Sequence, residues 1–350
     1  MSFSLLTTAG LVVLCGALLL GAKLRRGLRE RTARRWDLVL TVAAATHATS
    51  EPLQRLLEEL AGGRDLRLDL LRLWKHHVAA MERPERIRLR ARLLESGAYR
   101  RLLADLSSPV AIRRGCAAVL VGELRLPGVA DALERLLADR EPDVCNAALK
   151  ALSLVADESA AWALLRALRD GLVKPDRIVE RLAAPWAGSS IREAWEQPEF
   201  RGQRGSLITA LSLAADPATE QLAVELLEDS DLEARLRACR ALGGVRKSGS
   251  TVECLVEALN DESASVRAQA AKALHGVQDE QVIARLAAAL SDRAWWVRAN
   301  AGSALRESSA GLKALRLAVL SSDPFARDRA REELSLQQAG VRVLARRAAA

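Results

Sequence analysis

The chain of 350 residues carries 52 Lys and Arg against 44 Asp and Glu, for a formal charge of +8, and is 50% apolar but only 3% aromatic. A core so poor in rings must be built from Leu, Ala and Val, which suits closely packed helices and disfavours a sheet sandwich. Seven of the cations sit with one Glu in residues 23–36, a local +6 that leaves only +2 elsewhere, too little for the basic face that duplex binding needs.

Residues 1–22, "MSFSLLTTAGLVVLCGALLLGA", contain no charged side chain. From Leu5 onward they reach the short end of a bilayer-spanning length, so the first expected element is a transmembrane helix. A cleaved secretory leader would need a basic start and a small-x-small site, and neither is present. The basic segment 23–36 comes immediately after, with Lys23, Arg25, Arg26, Arg29, Arg31, Arg34 and Arg35. Such clusters stay on the cytoplasmic side and rest against anionic head groups. The expected topology is a single pass through the inner (cytoplasmic) membrane, N-terminus out and body in the cytoplasm.

Residues 37–104 hold three amphipathic stretches, "EPLQRLLEEL", "DLRLDLLRLWKHHVAAM" and "PERIRLRARLLESG", whose periodicity predicts irregular helical units that cap the remainder of the chain. From 105 to 350 a phrase recurs. "AIRRGCAAVL" (111–120), "DVCNAALKAL" (143–152), "EARLRACRAL" (233–242), "SVRAQAAKAL" (265–274) and "WVRANAGSAL" (296–305) share an apolar second residue and Ala and Leu at helical spacing. The second positions are Ile112, Val144, Ala234, Val266 and Val297, separated by 32, 90, 32 and 31 residues. The longest gap leaves room for two degenerate copies, of which "GSLITALSLAAD" (205–216) is one. Each copy is preceded by a helix closing on an Asp, as in "ALND" (258–261) and "ALSD" (289–292). A unit of two helices repeated at this period cannot bury its apolar face alone and must stack.

The Leu-x-Asp, Val-Arg and Ala-x2-Ala-Leu elements resemble the HEAT repeat family in its short bacterial form, over about residues 105–325 and more weakly over 50–104. A unit of 31 or 32 residues is shorter than the usual roughly 40–47. The resemblance implies an all-α α-solenoid. It also implies that turn aspartates and the following arginines brace successive units: Asp261 with Arg267, Asp292 with Arg298 and, more loosely, Asp229 with Arg235. Cys145 takes the Arg place in its own unit.

Residues 182–206 break the period with Pro185, Gly188 and Pro198 and carry Trp186, Trp195 and Phe200, three of the chain's eleven aromatics. They read either as an insertion folded back on the solenoid or as a partner-binding loop. Trp295 and Trp296 pose the same choice, with at least one expected to pack inward. The last helix, "DPFARDRAREELSLQQ", is polar enough to cap the far end.

Chemistry is sparse. The histidines are 47, 76, 77 and 275, and adjacent His76 and His77 diverge by about 100° on a helix, so they do not share a metal. The cysteines at 15, 116, 145, 239 and 254 form neither a paired framework nor a zinc pattern. Cys116 and Cys239 fall on small apolar helix positions, as core filler in a reducing compartment. No catalytic, cofactor or metal constellation stands out. The expectation is a membrane-anchored adaptor without enzymatic activity or cofactor, binding another, membrane-associated protein such as a glycosyltransferase or polysaccharide synthase, and lipid through residues 1–36. The resemblance brings two alternatives, a bilin lyase or isomerase and a DNA-binding glycosylase. The membrane segment and the scarcity of Tyr and His speak against the first, and the near-neutral body against the second.

Overall fold

The computed structural model describes residues 97–245 and 248–348, preceded by isolated positions at 87, 90, 91 and 94. The expected membrane helix 1–22, the basic segment 23–36 with its seven cations, most of the units placed in 37–104, and Cys15, His47, His76 and His77 lie outside the described residues. All regular structure among the described residues is helical, and none of these helices is long and apolar enough to cross a membrane. The chain divides into two compact units, one ending at Val155 and the other beginning at Ala156.

The described part of the first unit contains α1 (Gly97–Leu106), α2 (Ala111–Glu123), α3 (Ala130–Leu137) and α4 (Pro142–Val155). Pro142 opens α4 at the position where a missing N–H costs nothing, and Asp143 complements the dipole of the first turn. Ala117, Ala118, Val121 and Gly122 of α2 and Val144, Ala148, Ala151 and Leu152 of α4 are all buried. Such small residues let the two helix backbones approach closely.

The second unit runs α5 (Glu158–Arg169), α6 (Pro175–Leu182), α7 (Gly188–Glu196), α8 (Arg204–Leu213), α9 (Thr219–Leu226), α10 (Leu232–Gly244), α11 (Gly249–Glu257), α12 (Ala264–Ala273), α13 (Glu280–Ala288), α14 (Trp295–Arg306), α15 (Ser309–Ala318) and α16 (Pro324–Ala348). The even-numbered helices from α6 to α16 form one layer, each against the next. From α9 to α15 the odd-numbered helices form a second. This is the helix-pair stacking of a solenoid. Between the layers lie Leu207 and Leu211, Leu242, Leu274 and Leu305 from one side and Leu226, Leu255, Leu286 and Leu315 from the other, each at most 2% exposed. Each stabilises the unit by about 2 kcal/mol. Asp157, Asp231, Ser248, Asp279 and Ser308 accept backbone N–H bonds at the starts of α5, α10, α11, α13 and α15, which fixes where these helices begin. α16 is held by a carboxylate: Glu333, 1% exposed, lies between the guanidinium groups of Arg306 on α14 and Arg329 on α16.

Residues 182–206 do not leave the stack. Pro185 and Pro198 start short 3-10 turns, Pro185–Ala187 and Pro198–Gln203, on either side of α7. Helix α7 contacts both α5 and α8.

One close approach is testable. A Gly in a helix interior normally costs about 1 kcal/mol relative to Ala, but a Cβ on Gly122 would lie 2.6 Å from Ala151 Cα. Gly122→Ala should therefore lower stability by a net 1–2 kcal/mol or so, read as a lower urea midpoint, where propensity alone predicts a gain.

Candidate interaction surface

The turns leading into α4, α10, α12, α14 and α16 are each built around an aspartate. Asp261 Oδ1 accepts the N–H of Ser263 at 2.8 Å, and Asp292 Oδ1 that of Ala294 at 2.7 Å, an arrangement in which the side chain mimics a backbone turn. At Asp229, Asp261 and Asp292 the arginine six residues later folds back. Arg267 Nη1 donates to the carbonyls of Asp261 at 2.9 Å and Glu262 at 3.1 Å, satisfying backbone oxygens that the turn leaves over. Its Nε and Nη2 grip the carboxylate of Asp292 at 2.7 and 3.0 Å. Arg235 repeats this with the carbonyls of Asp229 and Ser230 at 2.9 and 3.2 Å and the Asp261 carboxylate at 2.9 and 3.3 Å. In the first unit Arg114 does the same with Ser108, Pro109 and Asp139.

The pairing therefore differs from the one the repeat resemblance implies. Within a unit the arginine meets its turn aspartate through that residue's carbonyl, so Asp261–Arg267, Asp229–Arg235 and Asp292–Arg298 are carbonyl contacts. The carboxylate reaches back to the arginine of the preceding unit, 25 or 26 residues earlier. In the first unit the register also sits one residue later than the repeat phrase suggests, since the gripping residue is Arg114 and Ile112 is 70% exposed.

The carboxylates respond to this setting. The hydrogen bond from Arg114 holds Asp139 below the ordinary carboxylate range. Burial pushes Asp292 upward, but Arg267 and the Ala294 N–H outweigh it and the group titrates low. Burial also pushes the Cys239 thiol up to about 12, so it stays a protonated core side chain at neutral pH. Cys116 is only half-buried.

The last full unit departs from the pattern. Arg298 Nη1 caps the carbonyls of Asp292 at 2.7 Å and Arg293 at 3.1 Å. Asp323, in register to receive its remaining donors, accepts the Phe325 N–H at 3.0 Å as Asp261 and Asp292 accept theirs, and also bonds Ser291; it feels the Arg298 charge but makes no hydrogen bond to that guanidinium. The Arg298 guanidinium lies over the Phe325 ring, 4.5 Å from its centroid. Phe325, Trp295 and Trp296 are 52%, 62% and 51% exposed. Trp296 and Phe325 occupy the same register on α14 and α16, one turn before Asn300 and Arg329, whose side chains reach Ala268 O at 2.7 Å and Ala299 O at 3.4 Å on the preceding even-numbered helices. Neither tryptophan packs inward, because the inward position of that turn belongs to Val297, 0% exposed. Leu232 lies exposed at the start of α10. The result is an exposed ring stacked on a guanidinium with two further exposed rings in the entry turn of α14, which is the chemistry of an interface anchor.

The other aromatic candidates are placed differently. Trp195 and Phe200, 1% and 0% exposed, are core residues and not available to a partner. Phe200 packs on Trp162 at 6.3 Å with Arg169 over its face, and Trp195 lies under Arg204 at 4.9 Å with its Nε1 3.4 Å from Glu225. Trp186 is half-buried. His275 is exposed, its Nδ1 3.3 Å from Glu307. Among the described residues no His, Cys, Asp and Glu cluster could hold a metal ion. Phe325 was hidden in the sequence by the polar helix around it; setting Arg327 of "DPFARD" (323–328) on Arg298 of "DRAWWVR" (292–298) would have placed it beside Trp296.

Residues 219–306 and 252–335 match the HEAT repeat family. No curated protein matches the chain. Among solved structures the chain is similar to an engineered protein at 16% identity, covering 87% of this chain and 98% of that one with a TM-score of 0.39. It is also similar to the complex of CpcE and CpcF of phycocyanin lyase from Nostoc sp. PCC7120, at 19% identity, 67% and 93% coverage and a TM-score of 0.31. A third similarity is to the karyopherin Kap121p bound to the SUMO protease Ulp1p, at 12% identity, 86% and 48% coverage and a TM-score of 0.36.

The geometry sets two expected outcomes. Asp292→Asn leaves a buried guanidinium without its counter-charge and should cost about 3 kcal/mol near neutral pH. Because the folded-state pKa of Asp292 is depressed, this stability is present above the ordinary carboxylate pKa of about 3.9 and is lost as pH falls through the folded value. Urea midpoints of the two proteins should therefore converge in acid. Replacing both Trp295 and Trp296 by Ala should change stability by no more than about 0.5 kcal/mol while removing a readily acrylamide-quenched share of the tryptophan emission. Trp195→Ala should cost about 3–5 kcal/mol.

Proposed function

We propose that the protein is a membrane-tethered adaptor without catalytic activity, which holds another, membrane-associated protein through the Trp295, Trp296 and Phe325 surface of its HEAT repeats. The observation that carries this reading is the placement of these half-exposed aromatics at the entry turns of α14 and α16, where Val297 fills the inward position and the rings stay in water. Large rings left in water on a rigid helical scaffold lose little conformational entropy when a partner covers them. HEAT repeats stack into extended surfaces suited to that task.

The tether in this proposal is residues 1–22, with no charge, followed by seven cations within 23–36. Its topology is N-terminus out, with Lys23, Arg25, Arg26, Arg29, Arg31, Arg34 and Arg35 against the cytoplasmic leaflet of the inner membrane. Confinement to a surface raises the effective concentration of a membrane partner without any new contact. A glycosyltransferase or polysaccharide synthase is the class of partner proposed.

The test uses crosslinking from native membranes with the full-length protein, a form lacking residues 1–36, and a Trp296→Ala, Phe325→Ala double variant. One membrane protein should be enriched by the full-length protein, fall at least fivefold with the double variant, and be lost with the truncated form. Equal recovery by all three would sink the proposal.

A further inference from the structure

Three arginines of this chain show what an arginine at the entry turn of an even-numbered helix binds. In each of Arg114, Arg235 and Arg267, Nη1 serves the carbonyls of its own turn, and Nε and Nη2 together hold an aspartate carboxylate at 2.6–3.3 Å. Arg298 keeps the first half of this arrangement and lacks the second: its Nη1 bonds are made, and no carboxylate meets Nε or Nη2. It is half-buried, so the open edge of the fork reaches solvent.

None of the chain's own carboxylates nearby hydrogen-bonds to the open edge. Asp292 is hydrogen-bonded to Arg267; Asp323 lies within the field of Arg298, which helps hold its carboxyl low, but its hydrogen bonds go to Ser291 and its own turn and leave the fork open. Phe325 lies against one face of the guanidinium and fixes its plane. Arg293, exposed in the same turn, adds a second cation. The two entry turns thus present a planar, bidentate donor pair beside three half-exposed rings.

We propose that Arg298 is the docking point for an acidic side chain of a partner protein. An aspartate or glutamate of the partner takes, between molecules, the place that Asp139, Asp261 and Asp292 take within the chain, and large apolar residues flanking that carboxylate cover Trp296 and Phe325. This rests on the adaptor reading above and gives its surface a chemistry. A bidentate carboxylate is what the guanidinium fork fits best, and at a partly dehydrated site it discriminates against neutral isosteres.

The experiment titrates full-length protein in detergent against three labelled nine-residue peptides, monitored by fluorescence anisotropy. Their centres are Asp, Asn or Lys, each between two Leu-Phe pairs; a fourth carries phosphoserine. The Asp peptide should bind at least tenfold more tightly than the Asn peptide, and the Lys peptide most weakly. Arg298→Gln should abolish the preference for Asp. Arg298→Lys, which keeps the charge and loses the fork, should reduce it severalfold, with urea midpoints showing that both variants fold. Trp296→Ala should weaken the Asp and Asn peptides alike. Equal binding of Asp and Asn peptides, a preference that survives Arg298→Gln, no measurable binding of the Asp peptide, or an Arg298-dependent preference for phosphoserine each overturns the proposal. If the peptides bind equally but are lost with Trp296→Ala, the acidic partner falls and the adaptor surface stands; if none responds to Trp296→Ala, both fall.

Discussion

A guanidinium that is 7 or 8% exposed, as at Arg267 and Arg235, is costly to bury alone, and removing either member of such a pair leaves an uncompensated charge. Here it is shared between two turns, one supplying carbonyls and the next a carboxylate, so the repeats of Arg235 and Arg267 are each completed by their successor. The stacked faces themselves are Ala and Leu, which are cohesive but say little about register, since one small apolar residue packs much like another. Sliding α12 by a single residue along α14 would part Arg267 from Asp292. The ionic rung is thus the element that turns a sticky layer of helices into one with a defined stagger.

The exposed rings arise from the same constraint. Once the aspartate ties down the turn and the arginine folds beneath it, the first two residues of the helix between them are pushed outward. At α12 these are Ala264 and Ser265; at α14 they are Trp295 and Trp296, and at α16 Pro324 and Phe325. The scaffold therefore offers an outward pair of positions at each of these turns. Where the ladder loses its next carboxylate, at Arg298, a ring takes over the guanidinium face.

Repetition was plain in the sequence because Val266–Arg267 and Val297–Arg298 recur 31 residues apart amid regular Ala and Leu. What resisted reading was anything decided by a neighbour one repeat away. Trp195 and Phe200 looked like loop anchors because Pro185, Gly188 and Pro198 flank them, yet proline at a first helical position starts a turn as readily as it ends one, and both side chains are covered by residues such as Arg204, Arg169 and Trp162. The Asp–Arg elements were legible as a motif, but their partners were not, because the spacing within the motif is six residues while the ionic bond spans 25 or 26. Phe325 lay in a helix whose charges read as solvated, which hid its register with Trp296.

The near-constant reach of the rung has an evolutionary consequence. Because Arg235 grips Asp261 and Arg267 grips Asp292 across almost the same number of residues, excising one complete period would bring an arginine and an aspartate from different copies into the same relation. Duplication or loss of a period leaves no broken bond in the remainder, whereas a shift of even one residue does. A gene of this kind can lengthen or shorten in whole steps by unequal recombination, each product inheriting a closed set of contacts, while the outward pair at every entry turn diverges independently to suit whatever it meets.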